Sequence, residues 1–221
     1  MRTVVLIAVS LLAAGCSGAS VEPSPTTTAE ASAPPRASAP ARSTPTPAVP
    51  GAGASIVDVI SWIEAGRAVD AAGYRSATRD GESTELGDDI AFTSGGTVCM
   101  TDSRHTGGAL ACLVDLADPP PPPTEVYGQW KGNWVDFTGD RVQVGSVHAD
   151  PGPFHLGSGQ LLADGTVLSF GDYRCRADRT GLFCVNYAHR AAVRLSPAGV
   201  EPFGCLKSAP KPAEGGELFS C

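Results

Sequence analysis

Residues 166–187 read TVLSFGDYRCRADRTGLFCVNY. Within this stretch Tyr173, Cys175 and Ala177 alternate with Arg174, Arg176 and Asp178. Alternate residues of a strand point to opposite faces, so the two arginines share one face and Cys175 takes the other. A turn containing Gly181 follows, then a second apolar run with Cys184. Two antiparallel strands would set Cys184 opposite Cys175, at the separation a disulfide bridges with local adjustment.

A related pattern occurs earlier. Residues 89–116, DIAFTSGGTVCMTDSRHTGGALACLVDL, hold an apolar strand with Phe92, then Cys99, a turn with Gly108, and Cys112 on another apolar strand. Phe170, Cys175, Gly181 and Cys184 hold the matching places in the later stretch. The expectation is two similar hairpins, one in each half of a domain. Turn signals recur between the strands: Asp80-Gly81, Thr138-Gly139-Asp140, Asp164-Gly165 and Ser196-Pro197-Ala198-Gly199. That spacing predicts a mainly β, disulfide-stabilised antiparallel sandwich or barrel-like domain over residues 54–221. One short N-terminal helix is expected over 56–65. Ile56, Val59, Ile60 and Ile63 follow helical spacing, Ser55 is the cap, and Gly66 is the stop.

The chain has seven cysteines. Cys16 closes the stretch AAGC, which follows Met1-Arg2 and an apolar run, residues 3–14, too short to span a bilayer. The pattern reads as a lipoprotein signal peptide over residues 1–15, with Cys16 lipidated. Ala13 stands where such signals usually carry leucine. Six cysteines then remain, and six allow about 15 connectivities. Local order favours Cys99–Cys112, Cys175–Cys184 and Cys205–Cys221. A zinc-thiolate reading lacks any CxxC pair. Residues 16–53 carry eight of the chain's 19 prolines among Ser, Thr, Ala and Gly. Nothing there offsets ordering entropy, so a disordered tether is expected, with its Ser and Thr as candidates for O-glycosylation.

Charge narrows the partners. Lys+Arg number 16 against 23 Asp+Glu, a formal net charge of −7. Nucleic acid, which requires a basic face, is excluded as a partner. The chain contains no G-x-S-x-G, H-E-x-x-H or phosphate-loop motif. No catalytic residue, metal ligand or cofactor is therefore assigned. His148 and His155 flank Asp150 in a proline-stiffened loop, a pattern that suits either a metal site or an ordered surface loop. Asp136, Asp140, Asp150, Asp172 and Asp178 are the carboxylates a hydrolase would draw on.

The candidate ligand-binding residues are Trp130, Trp134, Asp172, Arg174, Arg176, Tyr187, His189 and Arg190. Trp130 and Trp134, exposed, would form a stacking platform; buried, they are core. Arg174 and Arg176 would hold a carboxylate or phosphate, or else pair with Asp172 and Asp178. Pro119–Pro123 form a polyproline run, either a rigid connection between halves or a docking surface.

Several wordings together carry a resemblance: the Cys16 signal, the tether, SWIEAG (61–66), DPPPPP (118–123), DPGPF (150–154), GDYRCR (171–176), LFCVNY (182–187) and PFGCL (202–206). Across nearly its whole length the chain resembles mycobacterial-type lipoproteins without an assigned activity. The resemblance implies lipidation of Cys16 and export to the cell envelope, and brings no catalytic residues. The expected product is a lipid-anchored protein on the outer face of the cell membrane. Its expected role is binding or structural, toward an envelope polymer, a small ligand or a partner protein. The alternatives are a hydrolase built on the domain's Asp and His residues, and a protein interaction module.

Overall fold

Burial alternates along residues 173–178: Tyr173, Cys175 and Ala177 are buried, while Arg174, Arg176 and Asp178 are partly exposed. The computed structural model describes residues 47–148 and 151–221, which fall in the compact unit Thr44–Cys221. The expected signal segment, Cys16, the tether up to residue 46 and Asp150 lie outside the described residues.

Helix α1 (Ile56–Glu64) opens the described fold. Ser55 caps it, its Oγ accepting from the Asp58 N–H at 3.2 Å. Strands β1 (Arg67–Ala68), β2 (Ser76–Arg79), β3 (Glu82–Glu85), β4 (Ala91–Ser94), β5 (Thr97–Thr101), β6 (Leu110–Leu113), β7 (Gln129–Phe137) and β8 (Arg141–His148) follow. The second half holds β9 (Gln160–Leu161), β10 (Thr166–Phe170), β11 (Tyr173–Asp178), β12 (Gly181–Asn186), β13 (Ala191–Ser196) and β14 (Gly199–Gly204). A tail hairpin, β15 (Lys207–Ala209) and β16 (Gly215–Ser220), ends the chain.

The strands form a six-stranded sheet, β1-β10-β11-β12-β13-β14, and an eight-stranded sheet, β15-β16-β8-β7-β6-β5-β4-β9. The ribbon β2-β3 stands apart. Among the described residues no sheet closes into a barrel, so the architecture is sandwich-like. The two hairpins expected from the sequence head two matching meanders, β4-β5-β6-β7-β8 and β10-β11-β12-β13-β14. Pairing is antiparallel, with two exceptions that the sequence does not announce: β1 runs parallel to β10, and β9 runs parallel to β4. Each half thus lends its leading strand to the other half's sheet.

The core lies between the sheets. Phe92, Leu110, Val135, Phe137, Val142 and Val144 of one sheet meet Leu168, Ala177, Leu182, Val193 and Leu195 of the other. Cys99 opposes Cys112 and Cys175 opposes Cys184, each pair with Cα atoms 4.1 Å apart, and both disulfides are fully buried in this core. Cys205–Cys221 ties the last residue to the tail hairpin.

The outer face of the six-stranded sheet carries Val167, Phe183, Val185, Ala192 and Phe203. Helix α1 covers it with Val59, Trp62 and Ile63, and the rings of Trp62 and Phe183 lie 4.5 Å apart. Burying each aliphatic side chain contributes about 1.5–3 kcal/mol. Gly66 allows the close approach after the helix: a Cβ there would lie 2.3 Å from Val167 Cγ2. The outer face of the eight-stranded sheet is covered differently, by the ribbon and residues 151–159. Ala77, Ala91 and Met100 pack there with Leu86, Phe154 and Leu156.

Candidate functional site

The candidate residues do not gather at one place. Arg174, Arg176 and Tyr187 serve helix α1. Arg174 reaches Glu64 Oε1 at 3.2 Å and lies over the Tyr187 ring at 5.0 Å. Tyr187 donates to the same Glu64 oxygen at 2.7 Å. Burial, and then the hydrogen bond to Glu64, push the Tyr187 hydroxyl up to about 12. Arg176 donates to the Trp62 carbonyl and stacks on the indole, 3.9 Å from its centre. Burial lowers its pKa despite the nearby Asp178. These arginines are therefore committed to the helix and its last turn, and neither pairs with Asp172 or Asp178 as the sequence had allowed.

The tryptophans are no open platform either. Trp134 is 4% exposed, with His148 3.7 Å from its ring centre and Phe154 edge-on at 4.9 Å. Trp130 is half-buried and donates its indole N–H to the Pro120 carbonyl at 3.0 Å. The start of the proline run is thus docked within the molecule. Gly132, Gly145 and Gly216 leave room for it: a Cβ on Gly132 would lie 2.9 Å from the Pro120 carbonyl oxygen.

Asp172 and His189 do line one cavity of about 360 Å³, with Tyr173 and Asn186. Tyr173 donates to the Phe137 carbonyl at 2.7 Å, and burial raises its hydroxyl to about 12. Arg190 sits in an exposed turn at φ 51°. The hydrolase carboxylates are dispersed: Asp140 accepts from Thr138 at 3.0 Å, Asp178 from Thr180 at 2.7 Å, and Asp136 from the Trp134 indole at 2.8 Å.

The two meanders differ most in their connections. Between β11 and β12 lie only Arg179 and Thr180, whereas between β5 and β6 lie residues 102–109. The Asp102 carboxylate organises this longer loop, accepting the His105 backbone N–H at 3.0 Å and its ring Nδ1 at 2.7 Å. Thr106 donates its hydroxyl to the Asp102 carbonyl at 2.7 Å. Burial alone would raise the Asp102 carboxyl; the bonds and charge from His105 outweigh it and hold the carboxyl below its usual range.

Residues 151–159 approach the same loop. His155 donates ring Nδ1 to the Gly152 carbonyl at 2.6 Å. Together the two segments enclose a second cavity of about 360 Å³, lined by His105, His148, His155, Trp134, Pro151 and Pro153, with Asp102 and Thr106 at its side. Protein-family models, curated proteins and solved structures gave no match to the chain.

The chemistry must therefore be read from the groups themselves. His105 and His155 are each fixed through Nδ1 by an oxygen acceptor, which leaves Nε2 of each ring as the second polar atom. Among the described residues no three His, Cys, Asp or Glu side chains are grouped as a metal site requires. The sequence had paired His148 with His155; it gave no sign that His105, far along the chain, joins them.

Proposed function

We propose that this chain is an exported lipoprotein, anchored through Cys16 on the outer face of the cell membrane, and that its sandwich is a binding module. The apolar leader ending in Cys16, the proline-rich segment after it and three disulfides support export to an oxidising compartment. Two acyl chains would make the anchor stable. Among the described residues no helix is long and apolar enough to cross a membrane.

The observation that carries the binding role is the convergence of three of the four histidines with Trp134 on one cavity. That cavity arises where the first meander departs from the second. Its proline walls and the His148 ring that lies against Trp134 suit a flat or cyclic apolar body, and its His105 and His155 imidazoles suit an acidic group. The ligand class is accordingly a small cyclic carboxylate. The hydrolase reading is weaker: among the described residues no hydroxyl or thiol hydrogen-bonds the His105 ring to serve as nucleophile.

The test uses Trp134 as reporter, in a chain with Trp62→Phe and Trp130→Phe. Titration with indole carboxylates and cyclohexane carboxylate should quench its fluorescence saturably at pH 6. His105→Ala and His155→Ala should each weaken binding about tenfold, one lost hydrogen bond's worth. Absence of saturable quenching, or indifference to the histidine changes, would remove the reading. For the anchor, Cys16→Ala should release the protein from membranes; retention would refute it.

A further inference from the structure

The ribbon β2-β3 has one edge in use. Thr78 donates its N–H to the Ser158 carbonyl at 2.8 Å, and Ser158 returns an N–H to the Thr78 carbonyl at 3.1 Å. Thr78 opposes Ser83 across the ribbon. In an antiparallel pair, opposed residues either both turn their backbone groups toward each other or both turn them away. Thr78 turns its groups away, to Ser158. Ser83 therefore turns its N–H and C=O to the open side of β3.

This edge differs from the others among the described residues. β1 and β9 have two residues each, β15 has three, and β14 contains Pro202. Short edges and proline are ordinary protections against strand addition. β3 has neither, and all four of its residues are exposed. At its end, Glu85, Leu86 and Gly87 border a cleft of about 520 Å³, with Met100, Pro153 and Leu156 on its walls.

Charge selects the occupant. Residues 80–89 read DGESTELGDD, five acids and no base. Asp80 pairs with Arg79 and Asp88 with Arg75, and Asp89 accepts from Thr101 and Ser103. Glu82 and Glu85 make no ion pair among the described residues. A second copy would bring glutamate against glutamate, which opposes pairing. A strand carrying lysine or arginine would be drawn in.

We propose that β3 is a docking edge for an extended basic segment of a partner protein, which adds as a strand at Ser83 with its cations against Glu82 or Glu85. An apolar side chain of the segment enters the cleft beside Leu86. This proposal does not depend on any ligand in the histidine cavity.

The test uses the full chain in detergent and a labelled decapeptide of alternating lysine and valine. Saturable binding is expected at low salt, weakening as ionic strength rises, with none for a glutamate–valine peptide. Ser83→Pro removes the outward donor and no ribbon hydrogen bond, and should weaken binding about tenfold. Hydrogen exchange at the Ser83 amide should slow when the peptide binds, which reads the contact in the unaltered chain. Peptide binding with unchanged exchange at Ser83 would mean diffuse charge attraction and overturn the proposal, as would absence of binding. Glu82 and Glu85 would then only repel strand partners.

Discussion

Trp134 and Asp136 stand two residues apart on the outward face of β7, and the indole N–H donates to the carboxylate at 2.8 Å. Burial raises the Asp136 carboxyl, and the indole bond and the charge of His148 only partly offset it. Between the ordinary aspartate pKa and its raised folded value, the folded protein therefore holds a proton that the unfolded chain has already released. The stability this gives is full below the ordinary aspartate pKa and is lost as pH rises through the folded value. Asp136→Asn keeps an acceptor for Trp134 and removes the titration. Urea midpoints measured across that window should fall with pH more in the natural chain than in the variant. Parallel pH profiles would refute the assignment.

Arg176→Ala should loosen helix α1. It removes both the bond to the Trp62 carbonyl and the cation on the indole. The expected cost is about 2 kcal/mol in urea unfolding, from one hydrogen bond to a charged donor and one partly desolvated cation–π contact. Arg176→Lys should recover less than half, since an ammonium cannot lie flat on the ring. Full recovery by lysine would show that charge alone matters.

Cys205→Ser with Cys221→Ser should cost about 2–4 kcal/mol. This bridge closes the tail hairpin, from Cys205 just before β15 to Cys221 just after β16, and β16 adds to β8. Hydrogen exchange should therefore quicken in residues 215–220 before it quickens in the core strands. Uniform quickening would place the tail inside the main cooperative unit.

Gly159→Ala and Gly165→Ala separate two uses of glycine. At Gly159 a Cβ would lie 1.9 Å from the Ala91 carbonyl oxygen, so the backbone must move and β9 must leave β4. At Gly165 the space is open, and only the positive φ of 76° opposes a side chain. The first change should cost more than about 2 kcal/mol and the second about 1 kcal/mol. Melting curves giving the reverse order would contradict the close contact at β9.

Local patterns were legible in the sequence because short-range physics governs them. Alternation at 173–178 put Cys175 inside and Arg174 outside. A turn between each cysteine pair set Cys99 against Cys112 and Cys175 against Cys184, and Ser55 with the isoleucine spacing gave the helix to within one residue. Partners set by tertiary packing were not legible. Glu64 lies 110 residues from Arg174, so nearby Asp172 and Asp178 looked the better mates. Pro120 takes the Trp130 indole only because three glycines on neighbouring strands let it approach. His105 had no cue, since Asp102 beside it reads equally well as an ordinary turn residue.

The pairing of β1 with β10 and of β16 with β8 has a consequence for a cut chain. The exposed turn at Asp164-Gly165 separates the two meanders. Cys99–Cys112 closes on its own side of that turn, and Cys175–Cys184 and Cys205–Cys221 close on the other. A protease nicking the turn would therefore leave no covalent bond between the pieces. The upstream piece would nevertheless hold β1, which belongs beside β10, and the downstream piece would hold β16, which belongs beside β8, while β9 would stay with β4 upstream. The fragments should stay together after the nick and reassemble when mixed, as a complementing pair whose two members are each incomplete alone.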